Sequence, residues 1–419
     1  MNYDENGMIS MDEGFLRRAP FLWALLLGLL PSGSVRAWSS TTHSALVRLA
    51  LQDDPALKLS VPVETLDAFL AAVAHESVGE FVRELRLNPA TSFSFKMAGE
   101  VPGASVPALD VLAEYVNEPD WGMDQEVCAA YPGDCSPELK FMGAFEKGLP
   151  SQAFRHMYWP AGYLKLLSKF LPIPVHKGKP IGEAPERAQI FFDLSARAAR
   201  TGHAYWAARF LAWSMHYAQD ATQPYHAAQL PSNRLEYKTH HFPIPNVAKT
   251  IKKLTYYHLA FEDYIASLLD GDAGLGDQGA AIKTSLEKAV SQAFDLDQTT
   301  ARAVTQAAAA HSVSESFAKR SGEVSLRFFP PIPDIARTDP EQYVGSDAFR
   351  AEMVKRSRPG PVLDEFVAIA GSCLAVGGAA TRTLVDLHDR RAPLDVRRAT
   401  AVSSEIRDRL DSIAADLVR

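Results

Sequence analysis

The chain has 419 residues, 47% of them hydrophobic, and its 43 basic and 50 acidic side chains leave a formal charge of -7. That apolar content is enough for a large buried core and excludes a disordered chain as the default. The mild acidity, without any basic block, excludes a duplex-gripping surface, and no stable nucleic-acid partner is expected.

Residues 1–37 read as a signal peptide. Arg17 and Arg18 form its basic part, PFLWALLLGLL its apolar part, and Val35, Arg36 and Ala37 a small-residue exit site. The apolar part is short for a membrane span. Cleavage after Ala37 would make Trp38 the new N-terminus and leave the protein secreted or periplasmic; an uncleaved leader would instead act as an anchor. The ten residues before Met11 make a long, partly acidic lead-in, so translation from Met11 is expected. No second transmembrane stretch is predicted.

Past the leader the apolar spacing is helical. It predicts helices over 43–52, 63–86 and 108–117, with 87–107 (Pro89, Gly99, Pro102, Pro107) as an irregular connection. Nothing alternates for long enough to predict a sheet. The segment 118–160, rich in Pro, Gly and Asp, reads as an active-site loop region. It holds Asp120, His156 and the pair Cys128 and Cys135, whose closeness in CAAYPGDC predicts a local disulfide in an oxidising compartment. Cys373, in an apolar run, reads as a buried small hydrophobe. One long amphipathic helix is predicted over 191–219, another over 247–269, and Ala-rich helices over 280–318, before the breaker RFFPPIP at 327–333. Helices follow at 344–357, 361–386 and 392–418. The expected fold is therefore all-α, with a catalytic domain over 38–333. Residues 334–419 form a helical C-terminal extension packed on it, a separate hairpin being the alternative.

Two pairs in these helices carry the chemistry. His216 and Asp220, in WSMHYAQDATQPYH, and His258 and Glu262, in YYHLAFED, are each spaced i, i+4, which puts both side chains of a pair on one helix face. Imidazole and carboxylate without thiolate suit zinc, and manganese or ferrous iron would accept them too. The candidate donors in chain order are Trp38, His43, Asp120, His156, His216, Asp220, His226, His258 and Glu262. His240 and His241 have no donor four residues on and read as rim residues; His75, His203 and His311 read as packing or hydrogen-bonded residues.

This order of motifs, WSSTTH at the exit site, then NEPDW, FRHMYW, His216-x3-Asp220-x3-Pro224-x-His226 and His258-x3-Glu262, resembles the zinc-dependent phospholipase C and P1/S1 nuclease superfamily. The resemblance covers roughly residues 38–265. It implies a secreted, all-helical phosphodiesterase with three zinc ions. One ion would take Asp120, His156, His216 and Asp220; a second, His226, His258 and Glu262; a third, the free amine and carbonyl of Trp38, with His43 and the other oxygen of Asp220. The amine of Trp38 exists only after cleavage, so the precursor is expected to be weakly active. Asp120 would also orient or deprotonate the attacking water. Closely spaced zinc ions suit this chemistry because they acidify water and neutralise charge developing on phosphoryl oxygens.

The opening WSSTTH and the glutamate that closes the last motif resemble the bacterial phospholipase branch, which implies release of diacylglycerol from a phospholipid during transient contact with a membrane surface. The alternative is a P1/S1-like single-strand nuclease or 3'-nucleotidase. Trp121 and Tyr158 are expected in the substrate cleft, where a ring can meet a quaternary ammonium or stack on a base; Trp159, Trp213, Tyr217 and Tyr225 are expected to pack. The family's acidic residue soon after the N-terminal Trp is replaced here by Ser39, Ser40 and Thr41, so ethanolamine or a broader range of phosphodiesters stands beside choline.

Overall fold

The computed structural model describes residues 2–3, 9–10, 38–73, 100–121, 155–159, 182, 184–228, 244–271, 274–292, 303–335 and 337–391. Almost all of the leader, the disulfide candidates Cys128 and Cys135, the histidines His75, His240 and His241, and the helix expected over 392–418 lie outside them.

The described fold is an all-α bundle with a C-terminal helical extension. The chain enters through helix α1 (Ser40–Leu51), whose first turn is capped by the Ser39 hydroxyl accepting from the Thr42 amide at 3.3 Å. Two short helices follow, α2 (Leu66–Ala72) and α3 (Ala108–Tyr115). They flank a feature that the sequence pattern did not predict, an antiparallel ladder between β3 (Ser60–Pro62) and β4 (Ser105–Pro107), paired Val61 to Val106. Strands of three residues are too short to leave a period-2 trace. A still shorter ladder pairs β1 (Asn2–Tyr3) with β2 (Ile9–Ser10).

The single helix expected over 191–219 is two, α4 (Ala184–Arg200) and α5 (Ala204–Asp220). The break is a Schellman turn: Gly202 sits at φ +91°, its amide reaches Ala199 O at 3.0 Å, and the His203 amide reaches Ala198 O at 2.9 Å. Only glycine takes that conformation cheaply, so one residue folds an apparently continuous Ala-rich pattern into a hairpin. In α5 every residue from Tyr205 to Asp220 is buried, which makes it the central rod of the bundle.

A four-residue helix, α6 (Pro224–Ala227), turns the chain after α5, with Pro224 at its first position. Then come α7 (Ile244–Asp270), α8 (Gly276–Ser291) and α9 (Ala303–Phe328), which stops before the Pro330–Pro331 pair. The helix expected over 344–357 is α11 (Asp347–Arg356), started by the Ser346 hydroxyl accepting from the Phe349 amide, and a short helix that the pattern did not predict, α10 (Pro340–Val344), precedes it.

The last helix, α12 (Pro361–Arg391), is an extension in sequence but part of the core in space. Phe366, Ile369, Cys373 and Leu374 share a cluster with Trp38, Leu46 and Phe261, while Leu384, Val385 and Leu387 join the cluster around α4 and α5. Two adjacent glycines let it approach. A Cβ on Gly378 would stand 2.2 Å from Val290 O, and one on Gly377 would stand 3.1 Å from the Thr222 hydroxyl. This helix is also long and apolar enough to cross a membrane, but its apolar stretch is mostly buried against the rest of the bundle, as a core helix is. Cys373 is a free, fully buried thiol, and burial pushes its pKa up to about 12.

Candidate metal centre

The end of α5 and the turn after it build the centre. Helical spacing aims His216 and Asp220 the same way from the last turn of α5. Two 3₁₀-type bonds, Thr222 N to Gln219 O and Gln223 N to Asp220 O, then reverse the chain, and Gln223 caps α6 by accepting from the Tyr225 and His226 amides. His226 thereby returns to the same side. His258 and Glu262 come from the middle of α7, His43 from the first turn of α1, and Asp120 from a 3₁₀ turn at Glu118–Trp121. His156 lies in the short described stretch 155–159, which is tied to α6 by the Tyr158 amide donating to His226 O at 2.9 Å.

Three groups of donors result: His43, His216 and Asp220; Asp120, His156 and His216; His226, His258 and Glu262. Within each group the donor atoms lie within 4.8 Å of one another. All eight side chains are buried, the most open being His258 at 8%. His216 belongs to the first two groups, and Asp220 of the first reaches the second, since its Oδ1 is 3.3 Å from His43 Nε2 and its Oδ2 is 2.8 Å from His156 Nδ1 and 3.3 Å from His216 Nε2. Asp120 Oδ1 stands 3.8 Å from both His156 Nδ1 and His216 Nε2. In the third group His258 Nε2 is 2.6 Å from Glu262 Oε1 and 3.0 Å from His226 Nε2.

The tautomers follow from what the far nitrogens meet. His216 Nδ1 lies 2.7 Å from Val116 O, and His226 Nδ1 lies 2.6 Å from His156 O. A carbonyl only accepts, so both Nδ1 atoms carry the hydrogen and both Nε2 atoms present lone pairs inward. His43 Nδ1 donates likewise to Gln219 Oε1 at 2.7 Å. Burial pulls His216 and His258 well below the ordinary imidazole range and His226 down to about 4, so these rings are neutral at pH 7. Burial alone would raise the Asp220 carboxyl, but His216, His156 and His43 around it outweigh that and hold it below the usual carboxylate range.

Neutral imidazoles with inward lone pairs around an ionised carboxylate are the protonation states a metal ion requires. Buried and closely packed, they repel one another unless a cation or shared protons stand between them. His43 Nε2 and Asp220 Oδ1 face each other at 3.3 Å, and neither takes part in a hydrogen bond among the described residues. The donor set therefore fits divalent metal.

Several supporting residues carry no sequence signal of their own. Gln223 Nε2 donates to Glu262 Oε1 at 2.8 Å, so the cap of α6 also orients a donor on α7. Behind Asp120, Glu118 forms a fully buried ion pair with Arg209 of α5 and accepts from Trp213 Nε1 at 2.7 Å. The Arg209 guanidinium lies 3.9 Å from the centroid of the Tyr115 ring. This pair locks the 3₁₀ turn to the central rod, and losing either partner would strand a buried charge. A glutamate two residues before Asp120 in NEPDW is the one hint the sequence offers.

Trp38 is completely buried beside the centre. Its indole Nε1 donates to Gln219 O at 3.0 Å, and its ring packs on Phe261. Tyr158 is partly buried, with its ring edge-on to His311 at 4.9 Å. His311 bonds Ala227 O at 3.0 Å and His203 bonds the Glu64 carboxylate at 2.9 Å, outside the three groups of donors. The backbone of Trp121 belongs to the 3₁₀ turn; its side chain lies outside the described residues. No protein-family model, curated protein or solved structure matches this chain.

Proposed function

We propose that this chain is a three-zinc phosphodiester hydrolase of the phospholipase C type, which cleaves the glycerol-side phosphodiester of a phospholipid to diacylglycerol and a phosphorylated headgroup. The observation that carries the proposal is the three groups of buried imidazole and carboxylate donors, the first two sharing His216 and linked by the two oxygens of Asp220. One ion would be held by Asp120, His156, His216 and Asp220, another by His226, His258 and Glu262, and a third by His43, Asp220 and the terminal amine and carbonyl of a processed Trp38. Zinc bound there supplies acidified water and positive charge against the phosphoryl oxygens.

The protein's own residues do the rest. Val116 O, His156 O and Gln219 Oε1 keep His216, His226 and His43 in the tautomers that present lone pairs. Gln223 orients Glu262. Asp120, within 3.8 Å of two of the imidazoles, is positioned to orient a water molecule and accept its proton. The WSSTTH opening and the His258-x3-Glu262 motif support a phospholipid substrate, which brings the protein, after export, into transient contact with a membrane surface. Trp121 and Tyr158 are the side chains proposed to meet the headgroup.

Zinc per mature chain is measured by elemental analysis, and the same sample is assayed on phosphatidylcholine, phosphatidylethanolamine and single-stranded DNA. About three zinc ions with release of diacylglycerol support the proposal. Nucleotide release instead moves the chain to the nuclease alternative, and a metal-free, inactive chain sinks both. Asp220→Asn is expected to lose more than one zinc ion, because its two oxygens serve different donor groups.

A further inference from the structure

The three histidines with fixed tautomers are not fixed alike. His216 and His226 donate to main-chain carbonyls, whereas His43 donates to the side-chain amide of Gln219. A half-turn of that amide would put its NH2 toward His43. The ring would then have to accept at Nδ1 and carry its hydrogen on Nε2, pointing at Asp220. In that state His43 donates to the carboxylate and offers no lone pair to a cation.

The other side of the amide decides between the two orientations. Gln219 Nε2 lies 2.9 Å from the Thr381 hydroxyl of α12, and that hydroxyl lies 2.8 Å from Gly377 O, one turn back along the same helix. A hydroxyl has a single hydrogen. Donated to the Gly377 carbonyl, it leaves only lone pairs toward Gln219, so the amide must present its NH2 to Thr381 and its oxygen to His43. Gly377 itself has no side chain to separate α12 from Leu46 and Thr222, which lets the helix sit this close. Every member of the chain from Thr381 to Asp220 is fully buried, so water does not substitute for a missing partner.

We propose that Thr381, in the C-terminal helix, is a positioning residue for the metal centre: through Gln219 it selects the His43 tautomer whose Nε2 lone pair faces Asp220. This rests on the reading of the donor groups as metal sites. It makes α12 a working part of the centre, although Thr381 lies 119 positions beyond Glu262, the last proposed ligand in the chain.

The test uses the full chain as wild type, Thr381→Val, Thr381→Ser and Gln219→Glu, with and without Thr381→Val. Zinc affinity is read by competition with a chromophoric chelator, and the His43 tautomer by NMR of 15N-histidine-labelled, chelator-treated protein. Thr381→Val is expected to weaken one zinc equivalent about tenfold or more, the scale for losing an outer partner of a metal-bound histidine. It should leave the other equivalents in place and move His43 toward the form protonated on Nε2, and Thr381→Ser should restore both readouts. A glutamate at 219 presents an acceptor to His43 in either orientation, so Thr381→Val should add nothing in that background. Unchanged zinc affinity and tautomer in Thr381→Val overturn the relay while leaving the metal sites standing. A Thr381→Val effect undiminished in the Gln219→Glu background marks a packing role and also overturns it. A wild-type chain that binds no zinc overturns the metal reading and the relay together.

Discussion

A buried histidine is defined by what each of its nitrogens meets. His216 and His388 are both fully buried, yet they do different work. His216 turns a lone pair toward two carboxylates, while His388 Nε2 sits 2.7 Å from the Ser195 hydroxyl, which itself donates to Ala207 O, so the ring must be the donor. Burial pulls the His388 pKa down to about 4. Unfolded, the same ring takes a proton near pH 6.5, so the folded state binds fewer protons between those values. The stabilisation is complete above about pH 6.5 and is lost as pH falls toward 4, by about 3 kcal/mol for the single ring. His388→Gln, which cannot titrate, is expected to show a shallower loss of stability over that window by urea unfolding. Equal slopes for the two proteins would mean that the ring is charged in the folded state. At this scale the sequence reveals donors through spacing, as with His216 and Asp220. It is silent about Gln219 and Thr381, because a glutamine or a threonine in a buried helix has no pattern that sets it apart.

At the scale of elements, glycine accounts for the place where an expected helix broke in two and for a close approach of two helices. Gly202 ends α4 with a positive φ, and a Cβ there would meet none of the described residues within 4 Å. Gly378 lies within a helix and has no space at all against Val290 O. The same substitution therefore probes two different costs. Gly202→Ala is expected to destabilise by about 1 kcal/mol through backbone conformation alone. Gly378→Ala should cost more, about 1–3 kcal/mol, because α12 must shift away from α8. Denaturant midpoints decide it, and a smaller cost at Gly378 than at Gly202 would contradict the tight packing of α12. Helix content and most helix positions were legible from apolar spacing. The break after Arg200 was not, since an Ala-rich helical pattern runs through it without a change of period, and neither was the short helix α10. The β3 and β4 pairing was invisible for a related reason: three residues stabilised by a distant partner leave no local signature.

For the whole molecule, the donor groups draw on residues from His43 to Glu262, carried by α1, the 3₁₀ turn, the stretch 155–159, α5, α6 and α7. An ion bound there joins segments that are distant in the chain, and the unfolded chain has no such arrangement. Zinc at a hundred times its dissociation constant is thus expected to stabilise the fold by about 2.7 kcal/mol per site. Calorimetry of chelated and zinc-loaded protein should show the loaded form melting higher, and coincident transitions would remove the proposed link between metal and fold. By itself, the sequence determined the helical class and singled out the pairs His216/Asp220 and His258/Glu262, because both are written as short-range periodicity: apolar positions every three to four residues, and histidine with carboxylate one helical turn apart. Only the tertiary structure decided which donors share an oxygen, which nitrogen each ring turns inward, and that the last helix lies in the core against the first. Those outcomes depend on contacts between residues far apart in the chain, and no local pattern encodes the partner that a buried polar group will meet.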